Sequence, residues 1–119
     1  VIDVPVCRVD LVRKSAVSKF ESDFDWINDK EELRVTQDPR NQGLTAKEIK
    51  ELARDWIVAV NEIKCVKETR EGYKDRRHYH YDIVIQKLGG FPLGLYVYME
   101  LCNPDESDPA VHLLNAHPP

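Results

Sequence analysis

Long hydrophobic runs are missing from this chain. Nowhere do about 18 apolar residues follow one another, the number a helix needs to cross a bilayer, so a soluble protein with no membrane association is expected. The first residues also lack the order of basic, apolar and small residues that marks a secretory signal. The chain opens on Val1 rather than methionine, as expected of a processed product, a trimmed segment or a piece of a longer protein. Cysteine is scarce. Cys7, Cys65 and Cys102 are far apart and odd in number, and no two stand at the close spacing of a zinc site or a disulfide framework. Reduced thiols are the expectation, with a cytoplasmic location if they are reduced; the alternative is one bridge and one free thiol in an exported protein. An excess of positive charge is absent as well. With 17 basic against 21 acidic residues the formal charge is −4, which repels phosphate backbones on average and argues against a broad nucleic-acid coat.

What is present fits one compact domain over residues 1–119, with 42% apolar residues to build a single core. From Val4 to Val12 the residues Cys7, Val9 and Leu11 alternate with Arg8 and Asp10, predicting a first strand. Val17, Phe20, Phe24 and Ile27 recur at helical spacing and predict an amphipathic helix ending near Asn28. After a loop at residues 36–43, Thr45 and Glu48 form a capping-box pattern that starts a second helix over 46–63. Its expected core stripe is Ile49, Leu52, Ala53, Trp56, Val60 and Ile63, and Trp56→Ala is expected to cost roughly 3–5 kcal/mol if that ring is fully buried. Residues 64–69 predict a short strand, residues 95–102 pair with the preceding strand across a glycine-rich turn, and residues 110–117 form a last strand. The expected fold is α+β: an N-terminal strand, two helices, then a three- to four-stranded antiparallel meander with the helices packed on one face.

The chemistry concentrates in the segment from Arg76 to Gln86. A period of two sets His78, His80 and Asp82 on one side of a strand, and Tyr79, Tyr81, Ile83 and Ile85 on the other. If the second set lies under the helices, the open face carries the first, together with Tyr96, Tyr98 and Glu100 from the neighbouring strand, and His80 or Asp82 falls roughly opposite Glu100. A carboxylate beside an imidazole orients the ring for general acid–base work. One reading is metal-independent RNA cleavage, with His78, His80, Asp82, Glu100, Arg76 and His112 as the catalytic set. One histidine would take the ribose 2′-hydroxyl proton, another imidazole or a tyrosine would protonate the leaving oxygen, and Arg76 or Arg77 would offset charge on the phosphorane. His112 and His117 are five residues apart, so on a flat strand only one of them can join His80.

In the other reading Tyr96, Tyr98 and Arg77 belong to a binding surface, and the face docks a protein as an immunity protein, inhibitor or adaptor would. The charged stretch Lys64, Lys67, Arg70, Lys74, Arg76 and Arg77 reads as a solvated edge strand and loop or as a local basic patch. No cofactor and no metal are expected. His78, His80 and Asp82 would stretch over about 13 Å of one strand, too far to share an ion unaided. At fold level the layout resembles small toxin ribonucleases of the barnase kind, whose sites lie on the uncovered sheet face, although no motif accompanies the likeness. It also resembles the cystatin-type layout, but the Gln-x-Val-x-Gly segment is missing, so protease inhibition is not implied.

Overall fold

The computed structural model describes residues 5–119. In chain order these form helix α1 (Val9–Ala16), strand β1 (Phe24–Trp26), helices α2 (Asp29–Gln37) and α3 (Ala46–Val58), and strands β2 (Lys64–Lys67), β3 (Tyr79–Ile85), β4 (Leu95–Asn103) and β5 (Ala110–His117). The architecture is α+β, as the sequence predicts, but the sheet has five strands in the order β1, β5, β4, β3, β2. β1 runs parallel to β5, whereas the other neighbours are antiparallel, so a mixed sheet replaces the expected meander. One face buries Phe24, Tyr81, Ile83, Val97, Met99 and Leu113, with α1 and α3 packed against it. Among the described residues no helix is long and apolar enough to cross a membrane.

The N-terminal third departs most from expectation. Residues 9–16 are a helix and not a strand, and Val4 lies outside the described residues. The apolar positions that seemed to alternate also satisfy a helical stripe, because Leu11, Val12, Ser15 and Ala16 share one face and are all buried. The predicted helix through Val17, Phe20, Phe24 and Ile27 does not form. Val17 and Phe20 are 61% and 68% exposed, while Phe24 and Trp26 are buried two residues apart, as a strand requires. The helix that follows, α2, was masked by its polarity, since only Val35 is fully buried. Its start is nevertheless written locally: the Asn28 side chain accepts from the Glu31 amide, and Asp29, Glu31 and Glu32 sit favourably in the first turn.

α3 begins at the predicted capping box, with Thr45 and Glu48 bonding each other's backbone amides. It stops at Val58, five residues short of Ile63. The last carbonyls find side-chain donors instead of further turns: Asn61 Nδ2 bonds the Trp56 oxygen at 2.9 Å and Arg13 bonds those of Ile57 and Asn61. Val60 then takes a left-handed φ of 63° and points to solvent. The buried stripe is therefore Ala46, Ile49, Ala53 and Ile57, with Trp56 only half-buried. Trp26 is the core tryptophan, and its Nε1–H donates to the Ala46 carbonyl at 2.8 Å. Cys7 and Cys65 are joined in a disulfide, leaving Cys102 free, so the expectation of three reduced thiols fails, and with it the condition attached to a cytoplasmic location.

Candidate functional site

The hairpin register fixes the open face. Tyr81 pairs with Met99, Asp82 with Tyr98 and Val84 with Tyr96, so Asp82 does not stand opposite Glu100. The same antiparallel register carries His80, one residue before Tyr81, level with Glu100, which on its other side pairs with His112 on β5. Further along, the β4–β5 ladder slips by one: Met99 pairs with Leu113 but Tyr98 with Asn115, which leaves Leu114 as an extra residue. That bulge resets the alternation, burying Val111, Leu113 and Ala116 and turning His112, Asn115 and His117 outward together. The expectation that His112 and His117 face opposite sides is thereby corrected.

Across this face runs a cleft of roughly 600 Å³. Its floor is Tyr98, His80, Asn115 and His117; Ile27, Asn28, Glu31 and Arg34, at and just before the first turns of α2, make one wall, and the β2–β3 loop supplies Arg70, Tyr73 and Arg76 on the other. The rings of His80 and His117 both pack on Tyr98, with centroids 6.3 and 5.5 Å away. His80 Nδ1 lies 2.6 Å from Asp82 Oδ1, and His117 Nδ1 lies 2.8 Å from the Pro118 carbonyl oxygen. Both partners accept, so each ring carries its proton on Nδ1 and leaves Nε2 for other work. Burial, with the Asp82 carboxylate nearby, pushes the Tyr98 phenol up, keeping its hydroxyl protonated.

Beneath the loop wall lies a buried ion network. Arg77 donates to Glu100 at 2.8 Å and to Glu68 at 2.9 Å, and all three side chains are less than 5% exposed. Arg70 grips the other side of Glu68 at 3.0 Å and lies over the Tyr73 ring. The hydrogen bonds from Arg70, joined against burial by those from Arg77, hold Glu68 down to about 2. Burial pushes Glu100 up, but His112 and Arg77 outweigh it and leave the carboxyl below its ordinary value. The Cys102 sulfur and the Glu100 carboxylate beside it push His112 up to about 10.

Of the residues singled out in the sequence, the cleft gathers His80, Tyr98, Arg76, Arg77 and His117, with Asp82 behind His80. His78 is not with them. β3 starts only at Tyr79, and His78 lines a separate groove with Pro5, Lys67 and Lys74. His112 and Glu100 belong to the buried network at the edge of the cleft, and Tyr96 stacks behind Tyr98 at 6.3 Å. Arg77, expected as a surface contact, is locked between two carboxylates, while Arg76 has no ion-pair partner among the described residues. The residues not foreseen are Glu31, Arg34, Glu68 and Asn115: Glu31 and Arg34 are an i,i+3 pair at the capped start of α2, Glu68 is held by Arg70 and Arg77, and Asn115 is turned outward by the bulge. No group of three or more potential metal ligands occurs among the described residues. No protein-family model matches the chain, and neither the curated proteins nor the solved structures yield a match.

Proposed function

We propose that the cleft cleaves single-stranded RNA without a metal ion. The carrying observation is the pair of imidazoles on one tyrosine, each with Nδ1 occupied and Nε2 free, in a cleft rimmed by arginines. His80, steadied by Asp82, takes the ribose 2′-hydroxyl proton on Nε2 as that oxygen attacks the adjacent phosphorus. Protonated His117 gives its Nε2 proton to the departing 5′-oxygen, so the products are a 2′,3′-cyclic phosphate and a free 5′-hydroxyl. Arg76, with Arg70 beside it, offsets the charge gathered on the phosphorane oxygens; Arg77, saturated by Glu68 and Glu100, positions the loop that carries them. Single strands suit the cleft because unstacked bases can lie on the Tyr98 and His117 rings, whereas a duplex keeps its bases inside.

Incubation of the protein with RNA in EDTA tests this. Cleavage is expected to survive chelation and to fall by about 10²-fold or more in His80→Ala and in His117→Ala. Intact RNA at micromolar protein would refute it and leave the same tyrosine- and histidine-lined face as a protein-docking surface.

A further inference from the structure

The end of the cleft under α2 has a distinctive set of hydrogen-bonding atoms. Asn28 Oδ1 accepts from the Glu31 amide and Asn115 Oδ1 accepts from the Ala116 amide, at 2.9 and 2.8 Å. A backbone N–H can only donate, so these bonds fix the oxygen end of each side chain and leave both NH₂ groups as donors on the other side. No protein acceptor meets either among the described residues. Glu31 is bound by Arg34 through Oε2 alone, which leaves Oε1 as an acceptor on a carboxylate whose charge is already partly balanced. Two amide donors and one carboxylate acceptor thus line the cleft that also holds the Tyr98 and His117 rings.

We propose, resting on the RNA reading of this cleft, that Glu31, Asn28 and Asn115 form a guanine subsite. Guanine is the one common base with two adjacent donors, N1–H and N2–H₂, to meet a carboxylate, and its O6 and N7 accept from amides. Adenine and cytosine present a single exocyclic amine beside an acceptor, and uracil flanks its one N–H with two carbonyls; each sets an acceptor against the Glu31 oxygen. The base stacks on the ring row, which is indifferent to base identity, so discrimination falls to these three side chains.

Calorimetric titration of the whole chain with the four nucleoside 3′-monophosphates tests the subsite without any cleavage. Guanosine monophosphate is expected to bind at least tenfold tighter than the other three. Glu31→Gln and Asn115→Asp should bring the four within about twofold of one another. The second variant keeps the acceptor for the Ala116 amide but turns the donor into an acceptor and adds a negative charge, so all four nucleotides should weaken together and the test reads the ratio between them; circular dichroism confirms that both variants fold. Equal affinities in the wild type, or no guanosine monophosphate binding at millimolar concentration, would overturn the subsite. Guanine-selective binding with intact RNA would support the subsite and sink the cleavage chemistry; RNA cleaved without regard to base would do the reverse.

Discussion

Replacing Arg77 by methionine isolates the buried network, because methionine keeps most of the aliphatic bulk and removes only the charge and the donors. In the native protein both bonds to Glu100 Oε1 come from Arg77, and His112, 3.4 Å away, reaches only Oε2. Glu68 fares better, since Arg70 still holds it. The variant therefore strands one carboxylate oxygen on a residue that is 3% exposed, and breaking one side of a buried ion pair costs about 3–5 kcal/mol. For a chain of this length the unfolding entropy is about 0.25 kcal/mol per degree, so the melting temperature should drop by about 12 °C or more at neutral pH. The deficit should also depend on pH. Glu68 and Glu100 are held below their ordinary value in the native protein, so their stabilisation is present above about pH 4.5 and fades as the pH falls toward those lowered values. Without Arg77 burial dominates at Glu100, its carboxyl takes up a proton in mild acid, and the gap between wild type and variant narrows there. Thermal melts followed by circular dichroism at pH 7.5 and pH 4 read both effects. A variant melting within about 4 °C of wild type at pH 7.5, or an equal gap at both pH values, would refute the network's role.

The tryptophans should separate. Trp26→Ala removes a ring that is 5% exposed and its bond to Ala46, for roughly 3–5 kcal/mol, whereas Trp56→Ala should cost under about 2 kcal/mol because that ring is half-buried and its own N–H has no partner among the described residues; urea unfolding of the two variants ranks them. The disulfide closes a separation of 58 residues, for which chain entropy gives about 4 kcal/mol, so Cys7→Ser should lose about 2–4 kcal/mol, and a reductant should destabilise wild type but not the variant. His112 is raised from 6.5 to about 10, so its stabilisation is complete below pH 6.5 and is lost as the pH climbs to about 10; urea midpoints at pH 6 and pH 10 should differ more for wild type than for His112→Gln.

The sheet was legible where a period of two is reinforced by a turn, and the α3 start where Thr45 and Glu48 write a complete cap. Tyr81, Ile83 and Ile85 face inward as alternation predicts, against Leu95, Val97 and Met99. The N-terminal third was not legible, because a short apolar run such as Val9 to Val12 serves a helix or a strand equally, and tertiary packing decides. The end of α3 was hidden for a related reason: its stop depends on Arg13, more than 40 residues away, reaching the Ile57 carbonyl. At the site, the His80 and Asp82 pairing is written in one strand, but the company they keep comes from α2, a loop, β4 and β5.

Leu114 shows what decides such a register. Strict alternation from Val111 would bury Asn115 and His117 and expose Ala116. Burying each polar side chain without partners costs about 1–3 kcal/mol, against about 0.5–1.5 kcal/mol for the one ladder hydrogen bond that a bulge forgoes. The bulge wins, and the Ala116 carbonyl it turns inward is met by Asn41 Nδ2 at 3.1 Å. Deleting Leu114 should therefore be tolerated, unlike most deletions inside strands. Without it Leu113 still faces the core and Asn115, Ala116 and His117 keep their sides, now in unbroken pairing with β4. The half-buried leucine itself accounts for about 1–2 kcal/mol, so the deletion variant should melt within about 8 °C of wild type and keep nuclear Overhauser contacts between the Tyr98 and His117 rings. Deleting Ile83, which has no bulge to absorb the slip, should invert the faces of the rest of β3 and leave no cooperative melt. If the Leu114 deletion unfolds as the Ile83 deletion does, the bulge is not what sets His117 against Tyr98.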